Sequence, residues 1–520
     1  MSADQPGRDS ARAQQQPARE RDDACPGVLR LHTAADGELA RVRVVGGRLD
    51  AGQAEVLAMV AEAMGDGCLD LTSRGNVQLR GLGLSAGREL GRWLESCGLM
   101  PSRRHERVRN VVASPFAGLD GAGSGSLDEA LVEFDELLCN SEEAVSLSGR
   151  FLIALDDGRG DVAGLDPDVC LLPGVGAEQA SGGALLSFGG TATVRLRRAD
   201  GPRAALGAVE MFVAAARAPQ PTATSAAAPA APADAGSSAA GGSGARRPWR
   251  VRELPPQLTP NSGGLSAALA QLGIASTPVP PFGAPVAPHF VPPPAGFVEH
   301  PDGGRSLHVL APLGRLSVAQ WRLLARSAAA ASSGGRLRVT PWRGVVLPGV
   351  EDPRVAEELK EAGLVTGPDS PWHGVTACTG RPGCASSLAD VRADAAAALA
   401  AHVPAPDPDV PASALVSARL PVHWSGCARR CGHPAGSWVD VLAEEPGGYR
   451  IAVRGTDDPP SVAVRAAAAD ELAIHLTGAR SPAPAPAAVG APAAPHDHAA
   501  PEAAPESTPA QQSVRTSGTK

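Results

Sequence analysis

From Val28 onward apolar and polar positions alternate: Leu29 and Leu31, then Val42 and Val44, fall on one side of an extended chain, as in a half-buried strand pair. The period then changes. Gly47-Arg48-Leu49 leads into Ala54 to Met64, where apolar residues recur at helical spacing, and Cys68 to Leu79 returns to strand character. The same order comes again far downstream: a strand at His308 to Leu310, then Gly314-Arg315-Leu316, a helix through Trp321 to Ala331, and a strand at Leu337 to Leu347. Gly-Arg-Leu-x3-Gln occurs at Gly47 to Gln53 and at Gly314 to Gln320. Thr72, Val77, Leu79 and Gly81 match Thr340, Val345, Leu347 and Gly349 in spacing. Order and separation agree together, which marks a duplicated strand-helix-strand unit.

Each unit leads into a longer α/β segment. The first predicts a helix at Leu127 to Cys139, strands at Arg150 to Leu155, Ala184 to Phe188 and Thr193 to Arg198, and a helix at Ala204 to Arg217. The second predicts a helix from Ser387 to His402 with Ser386 or Ser387 as its N-cap, a strand at Val422 to Trp424, a hairpin of Trp438 to Ala443 with Tyr449 to Val453, and a helix near Val462 to Leu476. Asp156-Asp157-Gly158 reads as a hairpin turn.

Composition sets the limits. The 520 residues suffice for two or three domains, but residues 1–24, 217–247 and 481–520 are polar or Ala/Pro-rich without a hydrophobic period, and read as two tails and a linker. Gly241 to Gly244 follows no strand and precedes no P-loop lysine, so it belongs to the linker. Net charge is -8 with no basic stripe, which argues against nucleic acid. No apolar run approaches the roughly 20 residues that cross a bilayer, and no h-region opens the chain, so no membrane role and a cytoplasmic location are expected. Lys360 and Lys520 are the only lysines; nearly all basic side chains are arginine.

Nine cysteines without a signal peptide favour metal binding or free thiols over disulfides. Four of them form two close pairs on Gly-rich segments, Cys378-x5-Cys384 and Cys427-x3-Cys431. Zinc, disulfides or coincidence compete with an iron-sulfur cluster here, but structural zinc favours C-x2-4-C knuckles, whereas a 4Fe-4S cluster gathers four thiolates from flexible turns. Cys25, Cys68, Cys97, Cys139 and Cys170 are scattered and read as ordinary thiols. In an uninterrupted strand from Thr72 to Gly81, Arg74, Asn76, Gln78 and Arg80 share one face, a row suited to a ligand with several carboxylates, or else a solvated face. His496 and His498 in the tail carry no assigned function.

The duplication, this strand and the paired cysteines together resemble the nitrite/sulfite reductase superfamily over about 28 to 215 and 285 to 478. Arg109-Asn110-Val111-Val112 and Leu147-Ser148-Gly149-Arg150-Phe151 resemble two further segments of it. The resemblance implies an α+β chain with a duplicated nitrite/sulfite reductase-like fold: ferredoxin-like half-domains at 25–83 and 285–350, followed by α/β haemoprotein-type domains at 100–216 and 365–480. The last of these would hold a 4Fe-4S cluster on Cys378, Cys384, Cys427 and Cys431. It further implies substrate binding by Arg74, Asn76, Gln78 and Arg80, and catalytic roles for Arg109 and Arg150, which could equally be surface or buried ion-pair residues.

Reductases of that superfamily pair two lysines on the strand that here reads Arg150-Phe151-Leu152, so the second cation is missing. Ser425 to Pro434 and Thr340-Pro341-Trp342-Arg343-Gly344 instead resemble the superfamily's precorrin-3B synthase branch. That branch implies an O2-dependent monooxygenase of aerobic cobalamin biosynthesis that hydroxylates the tetrapyrrole precorrin-3A at C20 with γ-lactone formation. It would use a 4Fe-4S cluster, a mononuclear non-haem iron, and NADH through an electron donor. His433, beside Cys431, is the candidate iron ligand, against a turn or supporting role. The alternatives are a sirohaem- and 4Fe-4S-dependent sulfite or nitrite reductase, and a non-catalytic electron-transfer or tetrapyrrole-binding protein.

Overall fold

In the computed structural model the described residues are 23, 25–174, 182–218, 247–280, 292–401, 419–455 without 435, and parts of 464–480. The expected tails and linker lie outside them, apart from Asp23, Arg217, Ala218 and Arg247, as do Gly241 to Gly244, His496 and His498. No helix among the described residues is long and apolar enough to cross a membrane.

The first repeat runs β1 (His32–Ala34), β2 (Gly37–Val42), β3 (Arg48–Asp50), α1 (Ala51–Met64), β4 (Cys68–Leu71), β5 (Val77–Leu82) and α2 (Ala86–Ser96). Its α/β unit follows with β6 (Val111–Ala113), α3 (Asp128–Asn140), β7 (Ile153–Leu155), β8 (Val169–Pro173), β9 (Gly183–Phe188), β10 (Ala192–Arg197), α4 (Gly201–Arg217), α5 (Ser262–Gln271) and β11 (Ser276–Val279). The second repeat runs β12 (Gly296–Glu299), β13 (Arg305–Leu310), β14 (Arg315–Ser317), α6 (Val318–Ala330), β15 (Arg336–Val339), β16 (Gly344–Pro348) and α7 (Pro353–Glu361). Then come β17 (Val375–Ala377), α8 (Val391–Ala401), β18 (Val422–Ser425), β19 (Trp438–Ala443), β20 (Tyr449–Arg454) and β21 (Val464–Ala466).

The recurring Gly-Arg-Leu motif marks an exchange of strands. Sheet order is β1-β2-β5-β4-β14 in one half and β12-β13-β16-β15-β3 in the other, so each repeat's Arg-Leu strand completes its partner's sheet. Leu316 pairs with Leu69, and Leu49 with Leu337. Gly47, at φ +71°, must be glycine, because a Cβ would lie 2.1 Å from the Val339 carbonyl oxygen. The glutamine of the motif closes a capping box on the next helix: Gln53 with Asp50 at α1, and Gln320 with Ser317 at α6. Helices α1 and α6 pack together, and the Trp321 indole N–H donates to the Ala54 carbonyl at 2.8 Å. Val28 to Met100 and Leu307 to Leu364 thereby share one continuous core.

Two strand expectations are corrected. The run Cys68 to Gly81 is not one strand, because Thr72 to Asn76 turn back as a hairpin. Thr72 N–H donates to the Asn76 carbonyl, Thr72 Oγ1 accepts from Asn76 N–H, and Gly75 takes φ +66°. Leu337 to Leu347 breaks in the same way at Thr340 to Gly344, where Arg343 takes φ +61°. The helix expected near Val462 to Leu476 does not begin at Val462: Val464 to Ala466 form β21, which pairs antiparallel with β20, while Glu471, Leu472, His475 and Leu476 are helical. The helix expected from Ser387 begins at Val391, and Ser387 Oγ instead donates to the Ala389 carbonyl, so neither Ser386 nor Ser387 caps it.

Both α/β sheets put parallel strands first, β6-β7-β8 and β17-β18-β19, and finish antiparallel. The loops leaving the C-terminal ends of such strands are where ligand-binding residues collect.

Candidate metal centre and anion pocket

The four expected cluster cysteines lie on such loops. Cys378 follows β17, and its N–H donates to the Trp424 carbonyl on β18 at 2.9 Å. Cys427 and Cys431 follow β18, and Gly426 N–H donates to Cys378 Sγ at 3.2 Å, which ties the two pairs together. Gly426 has no room for a side chain, since a Cβ would meet Ser387 Oγ at 1.8 Å. All four thiols are free. Burial pushes the Cys431 thiol up, and so do the neighbouring Cys427, Cys378 and Cys384 thiols.

The spacing of these sulfurs tests the cofactor. Zinc-sulfur bonds of about 2.3 Å would hold tetrahedral ligands roughly 3.8 Å apart. No three of the four sulfurs lie within 4.8 Å of one another, so the donor set is too wide for one zinc ion, and four thiols on such loops are the donor set that an iron-sulfur cluster takes.

Arginines ring these loops. Arg80 makes a two-pronged pair with Asp36, both bonds 2.8 Å, and donates to the Gly383 carbonyl beside Cys384. Arg392 bonds Asp70 and the Cys378 carbonyl. Arg80 therefore braces the cluster loop, and the expected row of Arg74, Asn76, Gln78 and Arg80 does not form. Buried Asn76 binds Val44 N–H and Asn110, while Gln78 accepts from Arg41. His433 is exposed, stacks on Trp438 at 5.1 Å, and points Nδ1 at the Pro434 carbonyl. Among the described residues it joins no group of three metal-ligating side chains, so its surroundings do not fit a mononuclear iron.

Arg74 and Arg150 do come together. They line a cavity of about 350 Å³ with Arg41, Arg43, Arg250 and Arg252. Arg74 makes no side-chain hydrogen bond or ion pair among the described residues, and burial and nearby Arg250 lower its pKa. Burial, with Arg41 alongside, pushes Arg43 down to about 9. Like charges crowded this way favour an anionic occupant. Arg150 is half exposed, stacks over Trp249 and lies 3.9 Å from Asp23.

Arg109 is elsewhere, buried in a two-pronged pair with Asp135 (2.6 and 2.7 Å) and bonded to the Leu99 carbonyl. Leu152 is buried among Val112, Val162 and Cys170, so its position offers the cavity no cation. Sequence reasoning missed Arg41 and Arg43, although their alternation against Val42 and Val44 was a signal. It also missed Arg250 and Arg252, which arrive from beyond the linker.

Asp156-Asp157-Gly158 is not a hairpin turn. Asp156 accepts the N–H groups of Gly158, Gly160, Val162 and Ala163, and Asp157 and Asp161 lie buried beside it. Ser114 N–H donates to the Leu155 carbonyl, as Cys378 does to Trp424. Ser114-x5-Asp120 and Asp157-x3-Asp161 repeat the cysteine spacing within a residue. The first repeat thus has an oxygen-bearing copy of the cluster loops, filled by the Arg159 guanidinium, which bonds both Asp157 and Asp120.

Comparison with known proteins agrees with this architecture. The family model described as the nitrite/sulfite reductase ferredoxin-like half domain matches residues 32–86 and 298–363, the two strand-exchanging halves. A ferredoxin–nitrite reductase of Synechococcus elongatus is 36% identical over 129 residues, 23% of this chain and 25% of that protein. One from Leptolyngbya laminosa is 42% identical over 84 residues, 16% of each. A precorrin-3B synthase of a Sinorhizobium species is 28% identical over 172 residues, 33% of this chain and 36% of that protein. Each match spans well under half of the relative's length. The solved structure of the Mycobacterium tuberculosis NirA protein superimposes with a TM-score of 0.60 at 20% identity, covering 84% of this chain and 79% of that one. The fold is the duplicated nitrite/sulfite reductase fold.

Proposed function

We propose that this chain of nitrite/sulfite reductase fold is a precorrin-3B synthase: an O2-dependent monooxygenase that hydroxylates precorrin-3A at C20 and closes a γ-lactone. The observation that carries the reading is the arginine cavity of Arg74 and Arg150, to which the buried Leu152 contributes no side chain. Its charge suits a polycarboxylate macrocycle, one edge of which fits about 350 Å³. It lacks the second strand cation that stabilises charge in oxyanion reduction. The precorrin-3B synthase relative supports the same choice.

A 4Fe-4S cluster on Cys378, Cys384, Cys427 and Cys431 would supply electrons one at a time. The overall reaction takes one O2, two electrons ultimately from NADH and two protons, one of them from the medium, inserts one oxygen atom and releases the other as water. Arg74 and Arg150 would hold carboxylates and fix the macrocycle's orientation. The non-haem iron that the resemblance implies finds no matching donor set at His433.

The identity of the ferredoxin–nitrite reductase relatives favours a second reading, a sirohaem-dependent reductase. One experiment separates the two. Anaerobically purified protein is incubated with precorrin-3A and a reductant under oxygen-18 gas, and the product is weighed by mass spectrometry. One incorporated oxygen-18 is expected; stoichiometric sirohaem bands in the purified protein, with no oxygen-18 product, would decide for the reductase.

Arg74→Ala removes a guanidinium with no hydrogen-bond or ion-pair partner among the described residues. A charge-assisted hydrogen bond contributes about 1.5–3 kcal/mol, so affinity for a polycarboxylate tetrapyrrole such as uroporphyrin should fall roughly ten- to a hundredfold in a fluorescence-quenching titration. Unchanged affinity would return the cavity to solvent.

A further inference from the structure

We infer that Arg343 is a positioning residue that raises the reduction potential of the cluster held by Cys378, Cys384, Cys427 and Cys431. The inference rests on the reading of those cysteines given above. It starts from the backbone. Arg343 occupies the hairpin turn of the second repeat at φ +61°, where the first repeat has Gly75 at φ +66°. An arginine there bears a steric cost that glycine avoids, so the side chain must be needed.

Two glycines make its slot. A Cβ on Gly314 would lie 2.5 Å from Arg343 Cδ, so the arginine stem fills the space that a side chain would take. At the other end, Arg343 Nη2 lies 3.6 Å from where a Cβ on Gly432 would project, against the residue that follows Cys431. Other cations of the region are neutralised by partners. Arg80 pairs with Asp36, Arg392 and Arg315 share Asp70, and Arg430, also at positive φ, pairs with Asp440. Arg381, within the first cysteine loop and bonded to the Ser387 carbonyl, and Arg429 have no carboxylate partner among the described residues but are exposed and screened by water. Arg343 has no carboxylate of its own among the described residues and is more than half buried.

An uncompensated, poorly solvated cation beside a cluster favours the state with more negative charge, which is the reduced one. The guanidinium therefore sets how readily the cluster accepts its electron.

The test uses the full chain, purified anaerobically, as wild type, Arg343→Gly and Arg343→Lys. Each is titrated with dithionite through mediators, and the reduced cluster is read by electron paramagnetic resonance; iron content and thermal melting are measured alongside. Arg343→Gly restores the residue of the other repeat, so it should load iron and melt no lower than wild type. At the wild-type midpoint its ratio of reduced to oxidised cluster should fall about tenfold, 59 mV for one electron. Arg343→Lys should keep most of the wild-type midpoint.

An unmoved midpoint in a loaded Arg343→Gly protein overturns the inference, as does a lysine variant that moves as far as the glycine one. Should Arg343→Gly lose iron, Arg343→Lys decides: loading with a wild-type midpoint supports the charge, and failure to load shows that shape alone matters and overturns it. A wild-type protein without any cluster refutes the earlier reading of the cysteines instead.

Discussion

Cys431→Ser protein is expected to leave an anaerobic column colourless, with iron near zero where wild type should carry about four per chain on the proposed cluster, and with no signal after dithionite reduction. Cys431 closes the C-x3-C loop and stands nearest solvent of the four thiols. Serine cannot take its place, because a hydroxyl is not ionised at neutral pH, and the remaining three thiolates leave one corner of the cluster open to water and oxygen. Binding of a cluster is coupled to ordering of the loops that hold it. The same variant should therefore expose the segment 378–384 to limited proteolysis.

Cys139→Ser serves as the control. The Cys139 thiol lies beside Asp135 and Arg109, far along the chain from the cluster loops, and burial with the Asp135 charge pushes it up to about 11. It should change neither iron content nor spectrum. A Cys431→Ser protein with a full cluster would mean that the ligands are misassigned.

The duplication was legible because its signature residues answer to backbone demands rather than to packing. Gly47 and Gly314 adopt positive φ, Gln53 and Gln320 close capping boxes, and Leu49 and Leu316 are fixed by strand exchange, so each site tolerates few residue types. In the cysteine loops the same kind of demand falls on Gly426, where a Cβ would meet Ser387 Oγ. The hairpin at Thr72 to Asn76 was not, because its closing bonds are made by threonine and asparagine, residues that an alternating strand also accommodates.

Partners drawn from distant sequence were equally hidden. Arg109 looked like a site residue until its carboxylate, Asp135, appeared on α3. Arg250 and Arg252 reach the anion cavity only after a segment of linker composition, and Asp168 and Asp166 orient them. No local pattern could report that these six arginines share a cavity.

The largest stability effect should come from the first repeat's copy of the cluster loops. Arg159 bonds Asp157 and Asp120 at 2.7 to 3.1 Å and is one-tenth exposed, while Asp157 and Asp161 are fully buried. Arg159→Met keeps the stem but strands carboxylates that no water reaches, which costs about 3–5 kcal/mol, a large part of a typical stability of roughly 5–15 kcal/mol. Urea unfolding should show it as a much lower midpoint.

The pH dependence has a definite sign. Burial first, then the Asp156 charge, pushes Asp161 up to about 7 from 3.8. The folded state thus holds a proton that the unfolded chain releases, so this contribution is full below about pH 4 and is lost as pH rises through about 7. Asp161→Asn carries no charge and can still accept from Ser114 Oγ, as Asp161 does at 2.6 Å. It should flatten the profile between pH 5 and 8 and be more stable than wild type at pH 8. An Arg159→Met protein as stable as wild type, or an Asp161→Asn protein with the wild-type pH slope, would show that the acids beneath Arg159 are reached by water after all.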